Sequence, residues 1–168
     1  DYLLAVAEAI RKRHEEIATI ITKENGKPIQ QSRGEVNMTI DHLRWFAEEA
    51  RRTYGRIIPN QAPGKRHLVV KHPVGVVAVI APWNFPLVLS VRKAAPALAA
   101  GCPVILRPAS QTPLCAVALA ECVEEAGLPP GVFQLIAGPA QEIVDVYMED
   151  SRCAKITFTG STEVGKKL

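Results

Sequence analysis

Asn84 is the residue whose type and setting best suit chemistry. It lies in Pro82-Trp83-Asn84-Phe85-Pro86, a sharp break between the apolar, β-branched run Val74–Ile80 and a helix opened by Pro86. A side-chain amide N–H fixed where a strand ends can stabilise negative charge developing on an oxygen. The same side chain can instead simply cap the helix. Further on, Arg107-Pro108-Ala109-Ser110-Gln111 places a cation near a hydroxyl, and Gly160-Ser161-Thr162-Glu163-Val164-Gly165 places small residues and a hydroxyl where a helix begins. The first pattern suits a phosphate or ribose, or is a solvated loop. The second departs from G-x-G-x-x-G, yet free N–H groups at a helix start can hold a phosphate; many such turns bind nothing. Arg92 falls on the helix after Asn84, on a face the two can share, where it binds a substrate carboxylate bidentately or is a plain exposed Arg.

The other reactive residue types form no recognisable site. Cys102, Cys115, Cys122 and Cys153 make no Cys-x-x-Cys pair and have no metal-like spacing with His14, His42, His67 and His72. Cys115 and Cys122 share a helix face and read as small core residues rather than a disulfide. The histidines read as surface positions. Asn37-Met38-Thr39 matches a glycosylation acceptor but sits inside a predicted helix, so chance accounts for it.

The elements that must position Asn84, Arg107 and Gly160 follow from periodicity. Residues 1–24 carry a helical apolar stripe ended by Asn25-Gly26 and Pro28. A second helix spans about Ser32 to Thr53, with Trp45-Phe46 as core aromatics. Residues 56–72 read as a loop followed by an exposed strand, Arg66–His72, able to pair with another chain. From Val74 the rhythm is strand, turn, helix: strand 74–80 and helix 87–100, strand 104–106 and helix 113–126, strand 132–137 and helix 141–148, strand 155–158 and a helix from Thr162. Thr112 is the expected N-cap of the second of these helices, Gly101 and Gly127 the expected C′ residues of the first two. Alternating strands and helices predict an α/β fold: N-terminal helices followed by part of a doubly wound, parallel, Rossmann-like sheet. The expected divisions are a helical part over 1–55, a loop and exposed strand over 56–72, and the partial cofactor-binding sheet over 73–168. Loops at the carboxyl ends of such strands form a ligand crevice.

Composition limits the alternatives. The 168 residues suffice for one core, and 48% hydrophobic with 22% charged residues is ordinary globular usage. A net charge of +3 gives no basic face for nucleic acid, and no apolar run is long enough for a membrane span. The sequence starts and stops within helical patterns, so it is expected to be a piece of a longer chain, in which a removed targeting segment has a place.

Taken together, Pro82–Pro86, Leu98-Ala99-Ala100-Gly101-Cys102, Arg107–Pro113 and Phe158–Gly165 resemble the aldehyde dehydrogenase superfamily, in family order and over the whole chain. Trp45–Arg52 and Arg92-Lys93 are most similar to the succinate-semialdehyde dehydrogenases. The resemblance implies oxidation of an aldehyde to an acid with NAD or NADP. It makes Asn84 the oxyanion-hole amide, and Arg92 the holder of the substrate carboxylate. It assigns Ala81, Pro82, Trp83, Asn84, Arg107, Ala109, Ser110, Gly138, Phe158, Thr159, Gly160, Ser161 and Val164 to the cofactor, with Gly160-Ser161 at the pyrophosphate and Gly138-Pro139 beside the adenine. It also implies a homodimer or homotetramer and a cytoplasmic location, or a mitochondrial one after loss of a transit peptide.

Two departures from the family pattern bear on the cofactor. Arg107 replaces the usual lysine, which alters ribose contacts, and Ser110 stands where NAD-preferring members carry glutamate. A carboxylate there repels a 2′-phosphate; serine beside an arginine tolerates it, so NADP acceptance is expected, alone or beside NAD. The family's nucleophilic cysteine and general-base glutamate lie beyond the Gly160–Gly165 motif. None of the four cysteines is assigned that role, and the chain alone is expected to be inactive. Three alternatives stand: glutarate semialdehyde, a neutral aldehyde, or a segment that holds a nucleotide without chemistry.

Overall fold

The run Val76–Ile80 forms the strand on which the molecule is built. The computed structural model describes residues 1–168. Its elements are α1 (Tyr2–Lys12), α2 (His14–Asn25), α3 (Ile29–Glu49) with a 3-10 turn at Ala50–Arg52, β1 (Arg56–Ile58), β2 (His67–Val69), β3 (Val76–Ile80), α4 (Pro86–Ala99), β4 (Val104–Arg107), α5 (Leu114–Glu125), β5 (Phe133–Leu135), α6 (Ala140–Glu149), β6 (Cys153–Phe158) and α7 (Thr162–Gly165). Four strands make a parallel sheet in the order β5-β4-β3-β6. The α/β reading with a parallel, doubly wound sheet therefore holds.

The two faces of the sheet are covered unequally. Val77 and Val79 of β3 join α1 to α5 in a cluster of 27 buried hydrophobic residues, while Ala78 and Ile80 face α6 through Ile143 and Tyr147 in a cluster of four. Helices on opposite faces put the reversal of strand order between β3 and β6. Cys115 and Cys122 are fully buried in the larger cluster, as their shared helix face predicts.

Several boundaries differ from the sequence reading, each for a physical reason. The first stripe is two helices, interrupted at Arg13 (φ −100°, ψ 19°). No local breaker marks this point; the Arg13 guanidinium reaches Glu16 and, across the fold, Glu121 at 2.7 Å. Gly26 ends α2 in the left-handed region (φ 83°) with its N–H on the Thr22 carbonyl, the conformation that made Asn25-Gly26 a stop signal. Helix α3 begins directly after Pro28. Trp45 is not core: it is 62% exposed, and only its neighbour Phe46 packs inward. Adjacent helical residues point about 100° apart, so one stripe rarely takes both. The loop before the exposed strand itself contains β1, paired antiparallel with β2.

Thr112 does not cap α5; Pro113 occupies that position and the Thr112 hydroxyl is buried without a partner. The Glu24 carboxylate caps instead, accepting from the Leu114 and Cys115 N–H groups at 2.7 and 2.9 Å. No helix is long and apolar enough to cross a membrane, and no cluster of His, Cys, Asp or Glu is arranged to hold a metal.

Candidate active site

The main cleft, about 500 Å³, opens where β3 and β6 end. Ala81, Pro82 and Trp83 line it from the β3 turn, Arg107 and Ala109 from the β4 turn, and Phe158, Thr159, Gly160, Ser161 and Val164 from the β6 turn. This is the carboxyl edge of a parallel sheet at its switch of strand order, the usual place for a ligand in such folds. Ser110 and Gly138 line an adjoining cavity that shares Ala109. Arg107 ties the two: its Nη2 donates to Ser110 Oγ at 2.9 Å and to the Gly138 carbonyl at 3.4 Å.

The glycine pair has a packing reason. A Cβ on Gly160 would lie 2.2 Å from the tip of the Phe158 ring, and one on Gly165 would lie 3.4 Å from the same ring. The ring occupies the space that two missing side chains leave. Ser161 caps α7, its Oγ accepting from the Val164 N–H at 3.3 Å.

The residue types lining this cleft suit a nicotinamide dinucleotide. Ile80, Val144, Phe158 and Val164 offer apolar walls to a flat ring, while Ser161, Lys167 and Arg107 offer donors to charged oxygens. Arg107 is buried, and its Nε has no hydrogen-bond partner. An unpaired buried donor is costly.

Asn84, expected to line the cofactor site, is not among the residues lining the cleft; it follows Trp83, which is. Its side chain is exposed and makes no helix-capping bond; Phe85 is the N-cap of α4, also without a side-chain bond. The capping alternative is thus absent, because Glu35 performs that task. Glu35 Oε1 accepts from the Leu87 and Val88 N–H groups at 2.9 and 3.2 Å, and Oε2 accepts from Lys27 Nζ at 2.7 Å. Lys27 Nζ also donates to the Asn84 carbonyl at 2.7 Å and lies 4.1 Å from the Phe85 ring centroid. Asn25 Nδ2 donates to the Trp83 carbonyl at 2.7 Å.

Sequence reasoning missed these three residues, reading Asn25-Gly26-Lys27-Pro28 only as a helix stop. One signal was available. Glu35 sits among Ser32, Val36, Thr39 and Ile40 on the buried stripe of α3, where an acid needs partners.

Arg92 does not enter the main cleft. It lines a separate cavity of about 300 Å³ with His72, Lys93, Lys155 and Thr157. Its Nε donates to His42 Nε2 at 3.1 Å, which assigns the ring proton to Nδ1, bonded to the Met38 carbonyl at 2.7 Å. His42 is therefore a half-buried linking residue rather than a plain surface one, and His14 is likewise bonded to Asn37. Lys93, read with Arg92 in the sequence only as part of the family resemblance, is buried. Burial, and secondarily the Arg92 charge, pull its ammonium down to about 8.

None of the four cysteines is placed for attack in the main cleft. Cys102, Cys115 and Cys122 are buried, and burial pushes the Cys115 and Cys122 thiols up. Cys153 begins β6, at the strand end away from the cleft.

Comparison with known proteins shows the family and fold. The chain is 49% identical over 166 residues to a non-phosphorylating aspartate-semialdehyde dehydrogenase of Halomonas elongata, covering 99% of this chain and 34% of that protein. It is 45% identical over 157 residues to an NADP⁺ succinate-semialdehyde dehydrogenase of Escherichia coli, covering 94% and 33%. The solved structure of an aldehyde dehydrogenase from Brucella melitensis biovar abortus superposes with a TM-score of 0.97 at 48% identity, over 99% of this chain and 34% of that one. The chain thus spans about a third of the length of the relatives it matches. The profile described as "Aldehyde dehydrogenase family" matches residues 1–168. With strand-end turns, cleft and whole-chain match in agreement, the chain belongs to the aldehyde dehydrogenase family.

Proposed function

We propose that the chain is the cofactor-gripping part of an NAD(P)-dependent aldehyde dehydrogenase acting on a semialdehyde, with succinate semialdehyde as the substrate. The observation that carries this reading is the convergence of Trp83, Arg107 and Gly160 on one cleft at the switch point, with Asn84 next in the chain after Trp83. The nicotinamide, when bound, supplies the hydride acceptor. The chain's own residues do the rest of what is assigned here. Phe158, Val164 and Trp83 give the cleft its apolar surface, and Ser161 and Arg107 orient the charged cofactor. Asn84 donates its amide N–H to the aldehyde oxygen as negative charge grows there. Arg107 with Ser110 supports use of NADP, since no carboxylate stands there to repel a 2′-phosphate. The nucleophile is none of the four cysteines, so this segment alone does not turn over substrate.

Relatives support an anionic substrate. Their names include aspartate-, glutarate- and succinate-semialdehyde dehydrogenases and a 3-sulfolactaldehyde dehydrogenase, all acting on aldehydes with an acidic group. Arg92, Lys93 and Lys155 give the second cavity the matching charge, with no carboxylate among its lining residues. Glutarate semialdehyde is the runner-up. Arg92→Ala in the whole protein is expected to raise KM for succinate semialdehyde about tenfold or more, the worth of a charged hydrogen bond. It should leave KM for a neutral aldehyde near its original value. Equal changes for both aldehydes would remove Arg92 from carboxylate binding. Turnover by the 168-residue chain on its own would refute the division of labour.

The assembly we propose is a homodimer or homotetramer joined through the β1–β2 hairpin, where Ile57 and Leu68 are exposed.

A further inference from the structure

We propose that Asn25 and Lys27 are positioning residues that aim the Asn84 side chain, with Glu35 as their base. The proposal deepens the dehydrogenase reading and rests on it for its kinetic arm. The backbone geometry carries it. The carbonyl of Trp83 belongs to the peptide unit before the Asn84 Cα, and the carbonyl of Asn84 belongs to the unit after it. Asn25 Nδ2 holds the first at 2.7 Å, and Lys27 Nζ holds the second at 2.7 Å. Pinning both peptide planes fixes φ and ψ of Asn84, and so the direction of its Cβ. Only the side-chain torsions remain free.

The base of this device is built into the core. The Glu35 side chain is fully buried and the Lys27 side chain is 9% exposed. Removing a carboxylate from water is costly and is offset here by one ammonium and two backbone N–H donors. An apolar residue in the Glu35 position would fill the space without a fixed geometry. The ion pair instead sets where Lys27 Nζ stands, and the two N–H bonds set where α4 starts relative to α3. Asn84 lies between those fixed points. Misplacing a catalytic group by about 1 Å costs far more rate than stability.

Asn25→Ala and Lys27→Met test this in the whole protein, with Lys27→Arg as the conservative variant. Both losses should lower kcat about tenfold while KM for aldehyde and cofactor stays within about twofold. Lys27→Arg, able to reach Glu35 and the Asn84 carbonyl together, should recover most of the rate. A purely structural tie predicts a lower folded fraction with an unchanged kcat per folded molecule. A second readout needs no activity. In a Trp45→Phe background of this chain, Trp83 is the sole tryptophan, and both losses should increase its quenching by acrylamide. If the unmodified whole protein oxidises no aldehyde, the dehydrogenase reading fails and the quenching alone decides the positioning claim. A wild-type kcat in Lys27→Met, a loss that Lys27→Arg does not recover, or unchanged Trp83 quenching overturns the proposal.

Discussion

The two lips of the main cleft are held in different ways. The lip bearing Trp83 and Asn84 leads into α4, which packs in the 27-residue cluster, and is tied by Asn25, Lys27 and Glu35. The lip bearing Gly160 and Ser161 leads into α7 and leans on a cluster of four buried residues under α6. Every residue of β6 is at least partly exposed, whereas Val77, Ala78, Val79 and Ile80 of the adjacent β3 are buried. The wall proposed to do chemistry is the anchored one. The wall proposed to receive the cofactor is thinly supported. A fixed amide needs angular accuracy, while a wall that admits and releases a large ligand can give a little.

The largest expected effect tests that asymmetry directly. Leu106 is fully buried in the large cluster, and Ile143 is 8% exposed in the small one. Leu106→Ala should lower unfolding free energy by about 4 kcal/mol, and Ile143→Ala by about 2 kcal/mol, because the thinner site can collapse around its cavity. Urea unfolding of the chain measures both. Equal losses would mean that the two lips are supported alike.

The same contrast governs what the sequence made legible. From Val74 onward, strands and helices are punctuated by proline and glycine, and each boundary lies within a few residues of its expected place. The turns carrying Trp83, Arg107 and Gly160 were identifiable because strand ends follow from the apolar runs, and parallel strands put their carboxyl ends on one edge. The break at Arg13 was not legible, since its Glu121 partner is remote in sequence. Nor was the clamp on Asn84, where Glu35 meets Leu87 across 52 positions. Local pattern sets the elements; the pairs that aim a side chain are long-range and leave only a trace, such as an acid on a buried stripe. The Trp45 error has the opposite origin, a local pattern read as core on both of two adjacent positions.

A smaller effect on stability, with a larger one on binding, is expected at Gly160. An alanine methyl there would meet the Phe158 ring at 2.2 Å. The ring must move to make room, and it already lines the cleft. Gly160→Ala should therefore cost about 1 kcal/mol in stability but weaken cofactor binding about tenfold or more, as the displaced ring takes up ligand space. Titration of NADP⁺ and NAD⁺ against the variant in the Trp45→Phe background, followed by Trp83 fluorescence, measures this. Unchanged affinity would show that the cofactor avoids the soft lip.

The smallest effect lies on the anchored side, where a charge is buried without a carboxylate. Lys93 donates to the Leu89 carbonyl, and burial, followed by the Arg92 charge, lowers its ammonium from 10.5 to about 8. Between these two values the unfolded chain binds more protons than the folded one, so the Lys93 contribution makes stability rise with pH across that window. Below about pH 8 the cost of the buried ammonium is present in full. Lys93→Met keeps the length and removes the charge, and the Leu89 carbonyl stays in its helix. The variant should be more stable than the parent at pH 7 by less than about 1 kcal/mol, because solvent in the neighbouring cavity screens the charge. That advantage should shrink as pH rises toward 10.5. Urea midpoints of both proteins at pH 7 and near pH 10 give the comparison, and an advantage that stays constant with pH would show that the ammonium is not strained by its setting.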